Sequence, residues 1–285
     1  MGSVLVTGAS RGIGLSIVTR LADAGWDVVA GVRTEQDARD VGARNPQHIS
    51  PILLDVTDSE QVASLQDSLP MRLDAVVNNA GVVVPGPLET VRPEELRRQF
   101  DVNVVGHLAV TQAVLPRLRE SQGRIVFISS LNGRICVPLM GAYCASKFAL
   151  EAVADALRME LAPWRIPVIV IQPTQTDTDM VRNAGALVEE TEAAMRDDHR
   201  ILYAGHIDGM RRFIRRFHLS AVPADDVATA VADALGARRP RARYIVGIGH
   251  QFPALQAAIL PNLPPAARDP LLRRFGSQPG PHRTR

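Results

Sequence analysis

Tyr143 and Lys147 stand four residues apart in a chain of 285 residues that has three tyrosines and one lysine. On a helix, positions i and i+4 share a face. A free phenol has a pKa of about 10, too high for efficient proton transfer near neutrality. An ammonium one turn away favours the phenolate, so Lys147 is expected to draw the Tyr143 pKa down. The isolation of that lysine adds weight, because 31 of the 32 basic residues are arginine. Arginine keeps its proton in proteins, whereas lysine can be tuned. The pair reads as an acid–base couple.

A second group of residues could hold a phosphate. Thr7-Gly8-Ala9-Ser10-Arg11-Gly12-Ile13-Gly14 falls between an apolar run and an amphipathic stretch. Glycines there let the backbone turn tightly and approach a pyrophosphate, and the following helix presents free N–H groups and its positive dipole end. The spacing is G-x-x-x-G-x-G. The second apolar run ends in Ala30-Gly31-Val32-Arg33, without the acid that would take a ribose 2′-hydroxyl. Arg33 and Arg11 suit a 2′-phosphate through charge-assisted fork contacts. The cofactor implied is NADP(H) rather than NAD(H).

The elements that must position these groups follow from periodicity. Val4–Val6, Val28–Ala30, Ile52–Leu54, Ala75–Val77, Ile125–Ile128, Val168–Ile171 and Tyr244–Val246 read as short strands, apolar throughout. Helical patterns span 12–24, 58–69, 93–118, 141–161 and 225–235, with a helical piece at 210–217. Buried strands alternating with helices predict an α/β fold, a doubly wound parallel sheet of Rossmann type. A single domain over 1–275 is expected. A helical lid covers about 175–222, where no strand is evident, and a flexible tail follows at 276–285.

Composition narrows the function. Hydrophobic residues make up 46% and charged residues 22%, which excludes global disorder. No run of 18 or more residues lacks charges and breakers, so no transmembrane segment is expected, and no leader is visible; a cytoplasmic protein is the reading. Cys136 and Cys144 are too few for a disulfide scaffold or a four-cysteine zinc site, and the seven histidines lack metal-ligand spacing. Residues 1–199 hold 18 basic and 25 acidic groups, and residues 200–285 hold 14 and 5. Arg211, Arg212, Arg215 and Arg216 would cluster on one side of a helix. An acidic carrier protein, a coenzyme A phosphate or an anionic membrane could meet them, or they form a solvated lid face. One short cluster without stacking aromatics does not indicate nucleic acid.

Taken in order, the motifs resemble those of the short-chain dehydrogenase/reductase family, over about residues 3–250. Thr7 to Gly14 is similar to its cofactor loop, Asp55 to the acid that contacts adenine, and Asn78-Asn79-Ala80-Gly81 to the segment after strand four. Asn103, Ser130, Tyr143 and Lys147 match the family's catalytic tetrad, with Ser129 as the competing serine. The resemblance implies that Tyr143 exchanges a proton with the substrate oxygen and Ser130 hydrogen-bonds that oxygen. It also implies that Lys147 holds the nicotinamide ribose and Asn103 supports Lys147 through a water. The implied cofactor contacts are Gly8, Ser10, Arg11, Gly12, Ile13, Gly14, Arg33, Asp55, Val56, Asn79, Ala80, Gly81, Tyr143, Lys147, Pro173, Thr176 and Thr178. One departure stands out: Thr174 follows Pro173 where the family has glycine, and a Cβ restricts the backbone there.

The texture of the C-terminal half resembles members acting on retinoids and steroids. Val137, Pro138, Leu139, Met140, Met180, Leu187 and Val188 predict an apolar pocket for a small hydrophobic carbonyl or alcohol substrate. The alternatives are a 3-oxoacyl-carrier-protein reductase and a non-catalytic cofactor-binding sensor. The resemblance further implies a homodimer or homotetramer paired through helices 93–118 and 141–161, where Ala142, Ala145, Ala149, Ala152 and Ala156 permit close approach.

Overall fold

The computed structural model describes residues 2–217, 221–247 and 259–273. Seven parallel strands form one sheet. They are β1 (Ser3–Thr7), β2 (Asp27–Val32), β3 (Ile49–Leu53), β4 (Ala75–Asn78), β5 (Arg124–Ile128), β6 (Val168–Pro173) and, after the two-residue strands β7 (Thr176–Asp177) and β8 (Val222–Pro223), β9 (Arg243–Val246). The order is β3-β2-β1-β4-β5-β6-β9. It reverses direction between β1 and β4, and a crevice opens outside the carboxyl ends of the strands at such a point.

Successive residues of a strand face opposite sides, so each strand feeds two cores. Val4 and Val6 join Val28, Ala30, Val77 and Val126 on one face, under α1 (Gly12–Asp23) and α11 (Ala224–Gly236). Leu5, Val76, Ile125 and Phe127 join the other face, under α6 (Gly106–Ser121) and α7 (Gly141–Glu160). Phe127 is fully buried, and Phe127→Ala would cost about 3–5 kcal/mol in lost transfer energy and cavity.

The doubly wound sheet expected from the sequence is present, with differences in detail. A helix α2 (Glu35–Gly42), capped by the Thr34 hydroxyl, occupies a segment without an expected element. The expected third strand, Ile52–Leu54, begins earlier, at Ile49. The expected helix 58–69 divides at Ser64 into α3 (Ser59–Ala63) and α4 (Leu65–Ser68). The expected helix 93–118 is α5 (Pro93–Phe100), a π-helical turn at Asp101–Val105, and α6. Between 174 and 222, where no strand was expected, β7 and β8 pair in parallel. Between them lie α8 (Asp179–Arg182), α9 (Ala184–Ala194) and α10 (Asp197–Phe217), the last much longer than the expected 210–217. A last helix, α12 (Pro265–Arg273), packs Leu272 against Leu131 and Ile135. The expected tail 276–285 lies outside the described residues, as do 218–220 and the side chains of Arg216 and Phe217.

Candidate active site

The glycine turn closes over the crevice between β1 and β4. Gly8 and Gly12 have φ of 64° and 54°, which favours glycine. At Gly14 a Cβ would collide with the Gly8 carbonyl and lie 2.6 Å from Asn79 Nδ2. Asn79 Nδ2 donates to the carbonyls of Thr7 and Gly8, each at 3.0 Å, and Thr7 Oγ1 accepts from the N–H groups of Asn79 and Ala80. The turns after β1 and β4 are thus laced together. Unlike α2 and α3, α1 has no side-chain cap and no acid in its first turn. Its N–H groups and dipole end remain available to an anion.

The other expected cofactor residues border this crevice or support it. Thr178, the N-cap residue of α8, places Cγ2 3.2 Å from where a Cβ on Gly12 would sit. Thr176 Oγ1 is buried without a hydrogen-bond partner. Asp55 accepts from Thr57 N and Oγ1 at 2.9 and 2.7 Å. Burial pushes its pKa up, but those hydrogen bonds and the nearby Arg33 charge outweigh it and hold the carboxyl below its ordinary value. Arg11 and Arg33 are exposed, and neither forms a salt bridge among the described residues. Ser10 lies in the turn and is half-buried. Val56 is buried in one core, and Ile13 packs against the other, partly buried. Pro173 ends β6 in register with Val246. Uncapped helix, glycine cradle and unpartnered threonine all fit a dinucleotide.

The residues expected to do acid–base work come from three elements. Tyr143 and Lys147 lie on α7, Ser130 follows β5, and Asn103 lies in the π turn before α6. The Ser130 hydroxyl and Tyr143 line the same cavity, and Ser130 favours the Tyr143 phenolate. The Ser130 hydroxyl also accepts from Asn132 N at 3.1 Å. Ser129 instead points into the protein, its hydroxyl buried and unpartnered. Lys147 is buried and donates to the Ile128 carbonyl at 2.9 Å. Burial pushes its pKa down to about 8, against the opposing charge of Glu151.

One expectation needs correction here. Tyr143 is not drawn down. Burial pushes it up to about 12, only partly offset by Ser130. The reason is geometric: Nζ of Lys147 lies 5.8 Å from the Tyr143 ring centroid and is directed at Ile128. The Asn103 side chain has direct partners of its own, which leave its expected water-mediated support of Lys147 a separate matter. Its Oδ1 accepts from Val82 N at 2.9 Å, and its Nδ2 donates to Val82 O and Ser146 Oγ at 3.0 and 3.1 Å. Asn103 therefore ties the loop after Gly81 to α7. A π turn often marks such functional positions.

Several supporting residues had no signal in the sequence. His107, fully buried, meets Ala80 O through Nε2 at 2.6 Å and holds the turn after β4. Burial, and then the Lys147 charge, push its pKa down to about 3, so the ring is neutral. Buried Glu151 accepts from Gln172 Nε2 at 2.8 Å and from Arg243 Nε at 3.0 Å, and Arg243 Nη2 meets both oxygens of Asp155 at 2.8 Å. This network fixes α7 to β6 and β9. Thr174 avoids a positive φ. Its hydroxyl donates to Val246 O at 3.0 Å, which turns the departure from glycine into a second tie between β6 and β9.

Ser130 and Tyr143 open onto a cavity of about 220 Å³. Val137, Met140, Met180, Leu187 and Val188 line it as expected, whereas Pro138 and Leu139 do not. Leu139 adopts φ 62° and packs under α10 instead. Met210, Phe213 and Ile214 of α10 and Leu272 of α12 complete the wall. Of the arginine cluster, Arg211 is bound to Glu192 and Asp208, and Arg212 and Arg215 are exposed.

The family model of the short chain dehydrogenases matches residues 3–188. The chain belongs to this family. As a short-chain dehydrogenase it is a nicotinamide-dependent oxidoreductase acting on CH–OH groups. It is 36% identical over 259 residues to a 3-amino-tetrahydro-pyrrolizinone reductase of Xenorhabdus hominickii, covering 86% of each chain. It is 33% identical to retinol dehydrogenase 5 of Mus musculus, covering 90% of this short-chain dehydrogenase and 84% of the relative. A short chain dehydrogenase from Burkholderia cenocepacia, solved in complex with NADP, superposes with a TM-score of 0.71 at 27% identity. That match covers 97% of this chain and 98% of the other. Among the described residues no helix is long and apolar enough to cross a membrane.

Proposed function

We propose that this short-chain dehydrogenase uses NADP(H) to interconvert a hydrophobic ketone or aldehyde and its alcohol, with Tyr143 as the proton-transferring group. The observation that carries this reading is that Ser130 and Tyr143 open together into a cavity walled mostly by apolar side chains. When bound, the nicotinamide supplies or accepts the hydride. Gly8, Gly12 and Gly14 with the uncapped start of α1 hold the pyrophosphate, Asp55 the adenine end, and Thr176 and Thr178 the far end of the crevice. Ser130 orients the substrate oxygen by hydrogen bonding. A buried phenol stays protonated near neutrality, the form that gives a proton to a carbonyl oxygen during reduction. Lys147, whose Nζ lies 5.8 Å from the Tyr143 ring centroid, stabilises the phenolate left behind once it turns from the Ile128 carbonyl toward the phenol oxygen.

Arg11 and Arg33, exposed at the adenine end and free of salt bridges among the described residues, favour a 2′-phosphate. The neighbour from Burkholderia cenocepacia is in complex with NADP. The bacterial relative is named a 3-amino-tetrahydro-pyrrolizinone reductase. The segment of about 175–222 serves as the substrate lid, since α8, α9 and α10 supply one side of the cavity. The protein works in the cytoplasm as a homo-oligomer.

The test is a titration of purified protein with NADPH and NADH, followed by nicotinamide fluorescence. Tighter binding of NADPH, weakened about 10-fold or more by Arg33→Ala, together with NADPH-dependent loss of an apolar ketone that Tyr143→Phe abolishes, would support the reading. Preference for NADH would overturn the cofactor assignment. Binding of neither would overturn the enzymatic reading in favour of a scaffold.

A further inference from the structure

Five residues lining the cavity carry polar side chains: Ser130, Asn132, Tyr143, Thr174 and Gln175. Ser130 and Tyr143 face the reacting oxygen. The Thr174 hydroxyl is engaged by Val246 O at 3.0 Å. The remaining two are primary amides. Asn132 is fixed through its backbone, whose N–H donates to Ser130 Oγ at 3.1 Å. Gln175 is fixed through its carbonyl, which accepts from Val222 N at 2.8 Å. Neither side-chain amide has a hydrogen-bond partner among the described residues. Both residues are half-buried, so a ligand entering the cavity would take these amides out of water, which is costly unless it meets them with a partner. Such groups are the usual source of orientation and discrimination in an apolar pocket.

We infer that Asn132 and Gln175 are specificity residues that recognise a second, uncharged hydrogen-bonding group, a hydroxyl or amide, close to the carbonyl of the substrate. This rests on the ketone-reductase reading above. The group must be uncharged because no lining residue carries a charge. An ammonium or carboxylate there would be desolvated without a counter-ion. It must be close to the carbonyl because Asn132 is tied to the same hydroxyl that orients that carbonyl. An amide both donates and accepts, so it meets a hydroxyl or an amide in either sense. The rest of the substrate is apolar and lies against Met180, Leu187, Phe213 and Leu272.

The experiment compares kcat/KM for NADPH-dependent reduction of 2-hydroxy-1-indanone and 2-methyl-1-indanone, which are close in shape. It uses the full chain, the apolar variants Asn132→Leu and Gln175→Met, and the double variant, with folding checked by circular dichroism. The intrinsic reactivity difference of the two ketones cancels when the hydroxy/methyl ratio is compared between proteins. The ratio is expected to fall about 10-fold or more in the double variant, chiefly through KM of the hydroxy ketone, while the methyl ketone changes by less than about 3-fold. A ratio unchanged in the variants, with both ketones reduced, overturns the inference and leaves the reductase reading standing. Reduction of neither ketone with either cofactor, in wild-type protein that binds NADPH, overturns both. If the double variant does not fold, the two single variants decide by the same ratio.

Discussion

Lys147 receives opposite influences from its own helix and its surroundings. Burial favours its neutral form, and Glu151, one turn further along, favours the charged form. The other groups near it are Tyr143, the neutral His107 and the Ile128 carbonyl. If the ammonium is what stabilises the phenolate, kcat/KM for reduction falls as pH rises through about 8. Glu151→Gln removes the influence that raises the Lys147 pKa, so this limb moves to lower pH. Gln172 Oε1, buried without a partner, can meet the new amide if its side chain turns over, so the fold should survive. A pH–rate profile of the two proteins checks this, and coincident limbs would refute it. The Thr174–Gly247 pair makes another residue-level prediction. A Cβ on Gly247, at φ 95°, would collide with the Thr174 hydroxyl. Gly247→Ala should therefore cost about 3 kcal/mol. Thr174→Gly alone should cost about 1 kcal/mol through its lost hydrogen bond. In urea unfolding the double variant should be more stable than the sum of the single effects predicts.

At the scale of elements, what the sequence made legible was whatever repeats. The uninterrupted apolar runs of β1, β4, β5 and β6 and the i/i+4 pairing on α7 point to buried strands and a catalytic helix. Ser50 and Pro51 hid the start of β3, since neither reads as a strand residue. The π turn was invisible because the apolar periodicity of α5 runs on into α6. Asn132 and Gln175 carried no motif of their own, because only the fold shows that they line the cavity. Leu272 reaches that cavity from far along the chain. The network joining α7 to β9 was also illegible, since charged residues far apart carry no periodicity. Arg243→Ala leaves Glu151, 8% exposed, without its cation. Such a loss costs about 3–5 kcal/mol when both partners are buried. Arg243 is 31% exposed, so about 2–3 kcal/mol is expected here. The melting temperature should fall, whereas Arg212→Ala on the solvent side of α10 should leave it unchanged.

For the whole molecule, the outer faces of α6 and α7 are the surface to watch. Val105, Phe148 and Met159 are 56%, 39% and 73% exposed, and Trp164, just past α7, is 45% exposed. Ala145 and Ala152 are exposed between them, whereas Ala142 turns into the core. Apolar side chains spread along one face in this way favour association with a second copy. Phe148→Glu is expected to reduce the mass seen by light scattering to that of one chain, with the melting curve little changed. A wild-type mass already equal to one chain would refute the homo-oligomer.

The burial of Lys147 also has a use at the bench. An amine-reactive acylating reagent finds a single side-chain target in the whole chain. That target has a pKa near 8, low enough to be partly nucleophilic at mild pH, and little access to solvent. The protein is thus born with a site-selective label position at its proposed reaction centre. Because every other basic side chain except histidine is an arginine, peptide mapping that separates the α-amino group from Lys147 would report whether a bound molecule shields that centre.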